Sequence, residues 1–272
     1  MTVPFVPLNS GARIPQLGFG VYKVPADDRE RVVSTALELG YRHIDTAKVY
    51  RNEAGVGAAI AASGIPRDEL FVTTKLWNSD HGRDAARPAI ELSLEKLGLD
   101  RVDLYLIHWP VPSKRMFVET WHALEEIQAL GLATSIGVSN FLPHHLQPLL
   151  DAATVVPAVN QIELHPYYQE RDAVAFNGDH GIVTEAWAPL GQGALVDEAG
   201  VTAIAESYGK SLAQVILRWH IQRGTIVIPK SVHRERMAEN IDIFDFELTE
   251  AEVRIIDALE RGGRVDAHPD DV

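Results

Sequence analysis

Strand-like and helix-like stretches alternate along this chain eight times in succession, and few folds accept that pattern. The strand-like runs lie at about 17–22, 42–46, 70–75, 102–108, 134–139, 158–163, 182–187 and 225–229. Helices are predicted after them, at about 28–39, 53–63, 84–97, 116–130, 144–152, 169–179, 201–208 with 211–222, and 234–241. Strict alternation implies a parallel sheet with right-handed crossovers. Eight units in 272 residues predict an α/β fold, a closed (β/α)8 TIM barrel. A doubly wound open sheet is the competing arrangement. A short β-hairpin turning at Asn9-Ser10-Gly11 precedes the first unit. An extra C-terminal helix at about 249–258 opens on Thr249, with Glu252 three residues on, as in a capping box. No linker or shift of composition divides the chain, so residues 1–272 are expected to form a single domain.

An open sheet of this kind that binds a dinucleotide carries G-x-G-x-x-G between strand and helix. "GFGVYK" has Gly18 and Gly20, but Lys23 stands at the third glycine position. "GVGAAI" has Gly55 and Gly57, but Ile60 stands there, inside a predicted helix. All four read as packing glycines.

Composition removes other classes. There is no cysteine, which excludes disulfides, zinc–cysteine sites, iron–sulfur clusters and thiol nucleophiles. No metal site is expected. No apolar run approaches a membrane span, and the first residues lack the pattern of a secretory signal, so a cytoplasmic location is expected. The net charge of −13 argues against nucleic-acid binding. An anionic ligand must therefore meet a local basic patch.

In a barrel, residues at the C-terminal ends of strands read as functional. Here those ends carry Val21 and Tyr22, Asp45, Lys75 with Trp77, His108 with Trp109, Ser139 and Asn140, Gln161, Trp187, and Lys230 with Ser231. Asp45, Lys75 and His108 are spaced 30 and 33 residues apart, about one strand plus one helix, and Tyr50 follows Asp45 by one short loop. These four side chains suit carbonyl reduction. A phenol is a weak acid with a pKa of about 10. A cation such as Lys75 can lower that value, and Asp45 can orient the cation. His108 can donate to the carbonyl oxygen. No side chain supplies hydride, so a nicotinamide is required. Each residue also has a plainer reading: a structural Asp45–Lys75 ion pair, a core His108, a packing Tyr50.

"IVIPKSVHRERMAEN" places Lys230, Ser231, His233, Arg234 and Arg236 around a helix N-terminus, where backbone amides and cations favour phosphate. A solvated basic helix face is the alternative. In "WAPLGQG", Trp187 offers a flat stacking surface, or plain core, and Gly191 and Gly193 let the backbone approach a pyrophosphate.

The stretches "GYRHIDTAKVYRNEAGVGAAI", "LFVTTKLWN", "DLYLIHWP", "SIGVSNF", "VNQIELHPY" and "IPKSVHRERMAENIDIFDFELT" resemble the aldo-keto reductase family, in the family's order, from about Leu8 to Ala258. The resemblance is closest to its bacterial 2,5-diketo-D-gluconate reductases and includes the tail "GRVDAHPDDV". It implies a (β/α)8 barrel and NADPH-dependent reduction of aldehydes or ketones, such as keto-sugars and small dicarbonyls, by a cytoplasmic monomer. It implies Asp45, Tyr50, Lys75 and His108 as the catalytic four, with Tyr50 as general acid. Nicotinamide contacts fall on Ser139, Asn140 and Gln161, with Trp187 as stacking ring. Val21 and the run Pro189, Leu190, Gly191, Gln192 and Gly193 join the cofactor site. Lys230, Ser231, Val232, Arg236, Glu239 and Asn240 match the segment that binds the adenosine phosphates. His233, in the same segment, stands where close relatives often have Arg. Tyr22, Trp77, His108 and Trp109 line the implied carbonyl pocket. Two other readings remain: a Schiff-base lyase with Lys75 as nucleophile, and a nucleotide-binding regulatory protein without turnover.

Overall fold

The computed structural model describes residues 3–195 and 198–272. Strands β1 (Phe5–Pro7) and β2 (Arg13–Pro15) form an antiparallel hairpin with Val6 opposite Ile14. Eight parallel strands follow: β3 (Phe19–Gly20), β4 (His43–Asp45), β5 (Phe71–Leu76), β6 (Val102–Ile107), β7 (Ala133–Ser139), β8 (Val159–Glu163), β9 (Val183–Trp187) and β10 (Ile226–Val227). Each pairs with the next in sequence order from β3 to β10. A parallel bridge from Leu17 to Val227 joins the last strand to the first, with Gly18 N donating to Val227 O at 2.8 Å. The sheet therefore closes into the (β/α)8 barrel expected from the alternation. The two closing strands are shorter than their apolar runs. Pro229 has no N–H to extend the ladder, although its carbonyl accepts from Gly20 N at 3.2 Å.

Helices α1 (Arg29–Glu38), α2 (Glu53–Ala62), α3 (Arg83–Leu97), α4 (Phe117–Ala129), α5 (Pro143–Ala152) and α6 (Arg171–Asp179) surround the barrel. They are joined by α7 (Ala199–Tyr208), α8 (Leu212–Gln222), α9 (Arg234–Ile241) and α10 (Glu250–Asp257). The capping box read at Thr249 is present. Thr249 Oγ1 accepts from Glu252 N at 3.3 Å, and Glu252 Oε2 accepts from Thr249 N at 2.7 Å.

Alternation of side chains along each strand sorts the apolar residues into two clusters. Tyr105 and Ile107 of β6 point outward, into the layer between sheet and helices. Leu104 and Leu106 point inward, where they meet Val159, Ile226 and Ile14 of the hairpin. The hairpin thus plugs the barrel at the N-terminal ends of its strands. Asn9 Nδ2 bonds Pro157 O at 3.1 Å, and the Ser10 and Ser135 hydroxyls lie 2.8 Å apart.

The four glycines read as packing residues are packing residues. A Cβ on Gly18 would stand 2.4 Å from His43 Nδ1, and one on Gly20 2.9 Å from Ile228 O. A Cβ on Gly57 would stand 2.3 Å from the Leu97 carbonyl oxygen, because α2 crosses the end of α3 there. At Gly55 the nearest atom is a side-chain carbon, Arg29 Cβ, at 2.8 Å. Alanine gains about 1 kcal/mol of helix propensity over glycine. Overpacking against backbone costs about 1–3 kcal/mol. Gly57→Ala should therefore lower the urea midpoint more than Gly55→Ala does. Equal midpoints for the two variants would mean that α2 is free to shift away from α3.

Candidate active site

Three strands and one turn bring the predicted four together. Asp45 ends β4, Lys75 lies one residue before the end of β5, and His108 immediately follows β6. Tyr50 closes a 3-10 turn, Lys48–Tyr50, beyond β4. Lys75 Nζ donates to Asp45 Oδ1 at 2.7 Å, to Asp45 Oδ2 at 2.8 Å and to the Thr46 carbonyl at 2.9 Å. An ammonium has three hydrogens, so all are used. Lys75 is 0% exposed and sits behind the cavity wall, with Nζ 5.2 Å from the centre of the Tyr50 ring. Asp45, Tyr50 and His108 line a cavity of about 1200 Å³. The Tyr50 ring lies 4.9 Å from that of Tyr22 and 5.7 Å, edge on, from His108. Trp77 meets His108 at 5.2 Å, and Trp109 stacks on it at 6.5 Å.

One expectation is reversed. The Tyr50 phenol is not pushed down by Lys75. Burial, and then the Asp45 carboxylate, hold it well above its ordinary value of 10. The reason lies in the pairing: Lys75 spends its hydrogens on Asp45 and Thr46, and the carboxylate beside it counters its field. Tyr50 therefore keeps its proton. His108 moves the other way. Burial, and then Lys75, hold its pKa well below 6.5, so the imidazole is neutral. Its Nδ1 is buried without a hydrogen-bond partner among the described residues, which leaves Nε2 as the nitrogen that can meet a ligand.

Beside these groups lies a second polar set. Asn140 takes a left-handed conformation with φ of 64° directly after β7. Its amide donates to the His108 carbonyl at 2.9 Å and to Ser139 Oγ at 3.1 Å, and its oxygen accepts from Trp187 Nε1 at 2.8 Å. Ser139 Oγ in turn donates to the Gln161 carbonyl at 2.8 Å. Ser139, Asn140, Gln161 and Trp187 all line the cavity, as do Pro189, Leu190, Gln192 and Gly193. Two residues expected there do not. Val21 is 1% exposed and packs outward, because alternate residues of one strand face opposite ways, and its neighbours Gly20 and Tyr22 take the cavity side. Gly191 is buried within its 3-10 turn, Gly191–Gly193, while Gln192 and Gly193 reach the cavity.

The same cavity runs on to the start of α9, where Lys230, Ser231, Val232, His233, Arg236, Glu239 and Asn240 line it. Arg234 is held by Glu38 at 2.8 Å. Among the described residues, Lys230 and Arg236 form no ion pair.

Other groups at the site escaped the sequence reading. Asp266, Ala267 and Val272 of the C-terminal tail line the cavity, and His144 Nε2 of α5 bonds Asp270 Oδ1 of that tail at 2.9 Å, with the buried His145 Nε2 2.8 Å from the same oxygen. Glu185 of β9 lies wholly inside the barrel, and Gln161 Nε2 donates to its Oε2 at 2.7 Å. A signal for Glu185 existed: it sits two residues before Trp187, on the same face of β9.

Residues 16–261 match the aldo/keto reductase family. The chain belongs to that family. An aldo-keto reductase of Mycolicibacterium smegmatis is 53% identical over 266 residues, 98% of this chain and 97% of its own. Methylglyoxal reductase DkgA of Escherichia coli K12 is 48% identical over 267 residues, 97% of this chain and 96% of its own. The crystal structure of a Gox0644 mutant in complex with NADPH agrees with a TM-score of 0.96 at 44% identity, over 100% of this chain and 99% of that one. The protein is thus an oxidoreductase of the aldo/keto reductase family.

The interior of this aldo/keto reductase carries a titration that can be measured. Burial, and then Asp45, push Glu185 from its ordinary 4.5 up to about 8. A folded-state pKa above the unfolded one gives stability that is complete below the unfolded value and lost as pH rises through the folded value. Thermal midpoints of the wild type should therefore fall between about pH 5 and about pH 9, and Glu185→Gln should flatten that fall. Parallel pH curves for the two proteins would mean that Glu185 is ionised throughout.

Proposed function

We propose that this aldo/keto reductase uses NADPH to reduce aldehydes and ketones to alcohols, with Tyr50 as general acid. In reverse it oxidises a CH–OH group with NADP+. The observation that carries this reading is a single cavity with Tyr50 and His108 at one end and the unpaired Lys230 and Arg236 at the other.

The residues present fit the cofactor. Lys230 and Arg236 at the start of α9 suit the adenosine phosphates, with Arg236 able to offer a planar fork to phosphate oxygens. Gln192 and Gly193 also line the cavity and would face the pyrophosphate of a bound NADPH. Trp187, fixed through its Nε1 by Asn140, presents a ring against which a nicotinamide would stack. When bound, the nicotinamide supplies hydride to the carbonyl carbon.

The protein's own groups do the rest. His108, neutral and held through its main chain by Asn140, orients the carbonyl oxygen. Tyr50, kept un-ionised by burial, holds its proton at the phenol oxygen until negative charge grows on that carbonyl oxygen. Lys75 and Asp45 fix the Tyr50 side of the site, with the Lys75 ammonium 5.2 Å from the ring that carries the phenolate left after transfer. Tyr22, Trp77 and Trp109 give an apolar, aromatic mouth suited to small carbonyl compounds, among them dicarbonyls and keto-sugars such as 2,5-diketo-D-gluconate. The E. coli relative named a methylglyoxal reductase supports that class. A Schiff-base role for Lys75 is disfavoured, because its amine is shielded and all its hydrogens are engaged.

Tyr50→Phe keeps the ring and removes the proton donor. Its kcat for methylglyoxal or another small aldehyde should fall by roughly 10²–10⁴-fold, with NADPH binding unchanged. Retention of more than about a tenth of wild-type kcat would remove Tyr50 from the role of acid. Cofactor choice tests the other end. NADPH differs from NADH by one phosphate on the adenosine ribose, so Arg236→Ala should weaken NADPH by about 1–3 kcal/mol and leave NADH nearly unchanged. Equal losses for the two cofactors, read as Kd, would move the phosphate site elsewhere.

A further inference from the structure

Gln161 faces the cavity with its side-chain amide held from behind. Its Nε2 donates to Asp45 Oδ2 at 2.9 Å and to Glu185 Oε2 at 2.7 Å. An amide nitrogen carries two hydrogens, so both are taken. A reversed amide would turn its oxygen onto the carboxylate of Asp45, which is already paired with Lys75. Asp45 therefore decides which end of the amide points inward, and Glu185, by taking the second hydrogen, sets its plane. The amide oxygen accepts from no protein group among the described residues and is left to the cavity.

Glu185 itself does not line the cavity. It is 0% exposed, lies opposite Gln161 in the β8–β9 register, and faces Asp45 and His43 of β4 and Lys75 of β5. Its second oxygen lies 3.6 Å from His43 Nε2 and has no hydrogen-bond partner among the described residues. Burying a carboxyl group with one oxygen unsatisfied is costly, and no proton transfer in the reaction uses it. Its one good contact is Gln161.

We propose that Glu185 is a positioning residue for cofactor binding: by taking the second amide hydrogen of Gln161, it locks the Gln161 oxygen toward the carboxamide of the nicotinamide. A primary carboxamide offers N–H donors, and the Gln161 oxygen is the complementary acceptor. This inference rests on the NADPH reading above.

The test compares Kd for NADPH with Kd for adenosine 2′,5′-bisphosphate, which has the adenosine phosphates and no nicotinamide. Glu185→Met keeps side-chain length and removes both acceptors. It should weaken NADPH about 3- to 10-fold, the worth of one hydrogen bond, and leave the bisphosphate unchanged. Glu185→Gln keeps a carbonyl acceptor and should restore NADPH to within about twofold of wild type. A merely structural role would weaken both ligands alike, and that result, or no loss for NADPH, overturns the proposal. Gln161→Met separates the two levels of the inference. If it binds NADPH as the wild type does, the Gln161 contact with nicotinamide is wrong. If it loses NADPH selectively while Glu185→Met does not, the contact stands and the positioning role fails. Should Glu185→Met not fold, Glu185→Ala removes the same acceptors and is read the same way.

Discussion

The site depends on one buried ion pair. Lys75 and Asp45 stand on adjacent strands, β5 and β4, with the Lys75 amine fully enclosed. Charges taken out of water are tolerated only when they are paired and hydrogen-bonded. The pair meets that condition by drawing in its surroundings: Thr46 gives a carbonyl to Lys75, and Gln161 gives an amide hydrogen to Asp45. Thr46 also bonds Asn52 Oδ1 at 2.6 Å, and Asn52 Nδ2 bonds the Val21 carbonyl at 2.9 Å. The turn that presents Tyr50 is thereby tied at both ends to strands of the barrel. The rigid placement of the phenol is a consequence of satisfying a buried charge.

A second consequence is electrostatic. Tyr50 and His108 are buried in the same pocket, and burial moves their affinities for protons in opposite directions. The phenol keeps its hydrogen and the imidazole stays neutral. At the far end of the cavity the requirement is reversed. There, Lys230 and Arg236 are exposed and solvated, and they supply local positive charge in a protein whose net charge is −13. One cavity thus joins a buried end with Tyr50 and His108 to an exposed end with Lys230 and Arg236.

Much of this was legible in order along the chain. Alternation fixed the element sequence, and helix boundaries such as 84–97 against Arg83–Leu97, or 234–241 against Arg234–Ile241, fall within a residue. The least accurate boundaries are the closing strands, where half of the hydrogen bonding comes from the opposite end of the chain. The strand-end rule found Asp45, Lys75, His108, Gln161 and Trp187, because a parallel barrel brings every such end to one mouth. It also selected Val21, which faces the helices, and it grouped Lys75 with the lining residues although Lys75 stands behind them.

The sequence by itself determined most of the strand-end residues that reach the mouth of the barrel, because strand period and crossover handedness are local rules. The aldo/keto reductase motifs likewise lie in short contiguous stretches. Only the tertiary structure decided how those residues behave. The rise in the Tyr50 pKa, the enclosure of Lys75, the tail bonded by His144, and the hold of Glu185 on Gln161 each join residues on different elements. Their strength depends on how much water the folded barrel excludes. Burial and partner geometry are properties of the closed barrel as a whole, and no single strand or helix encodes them.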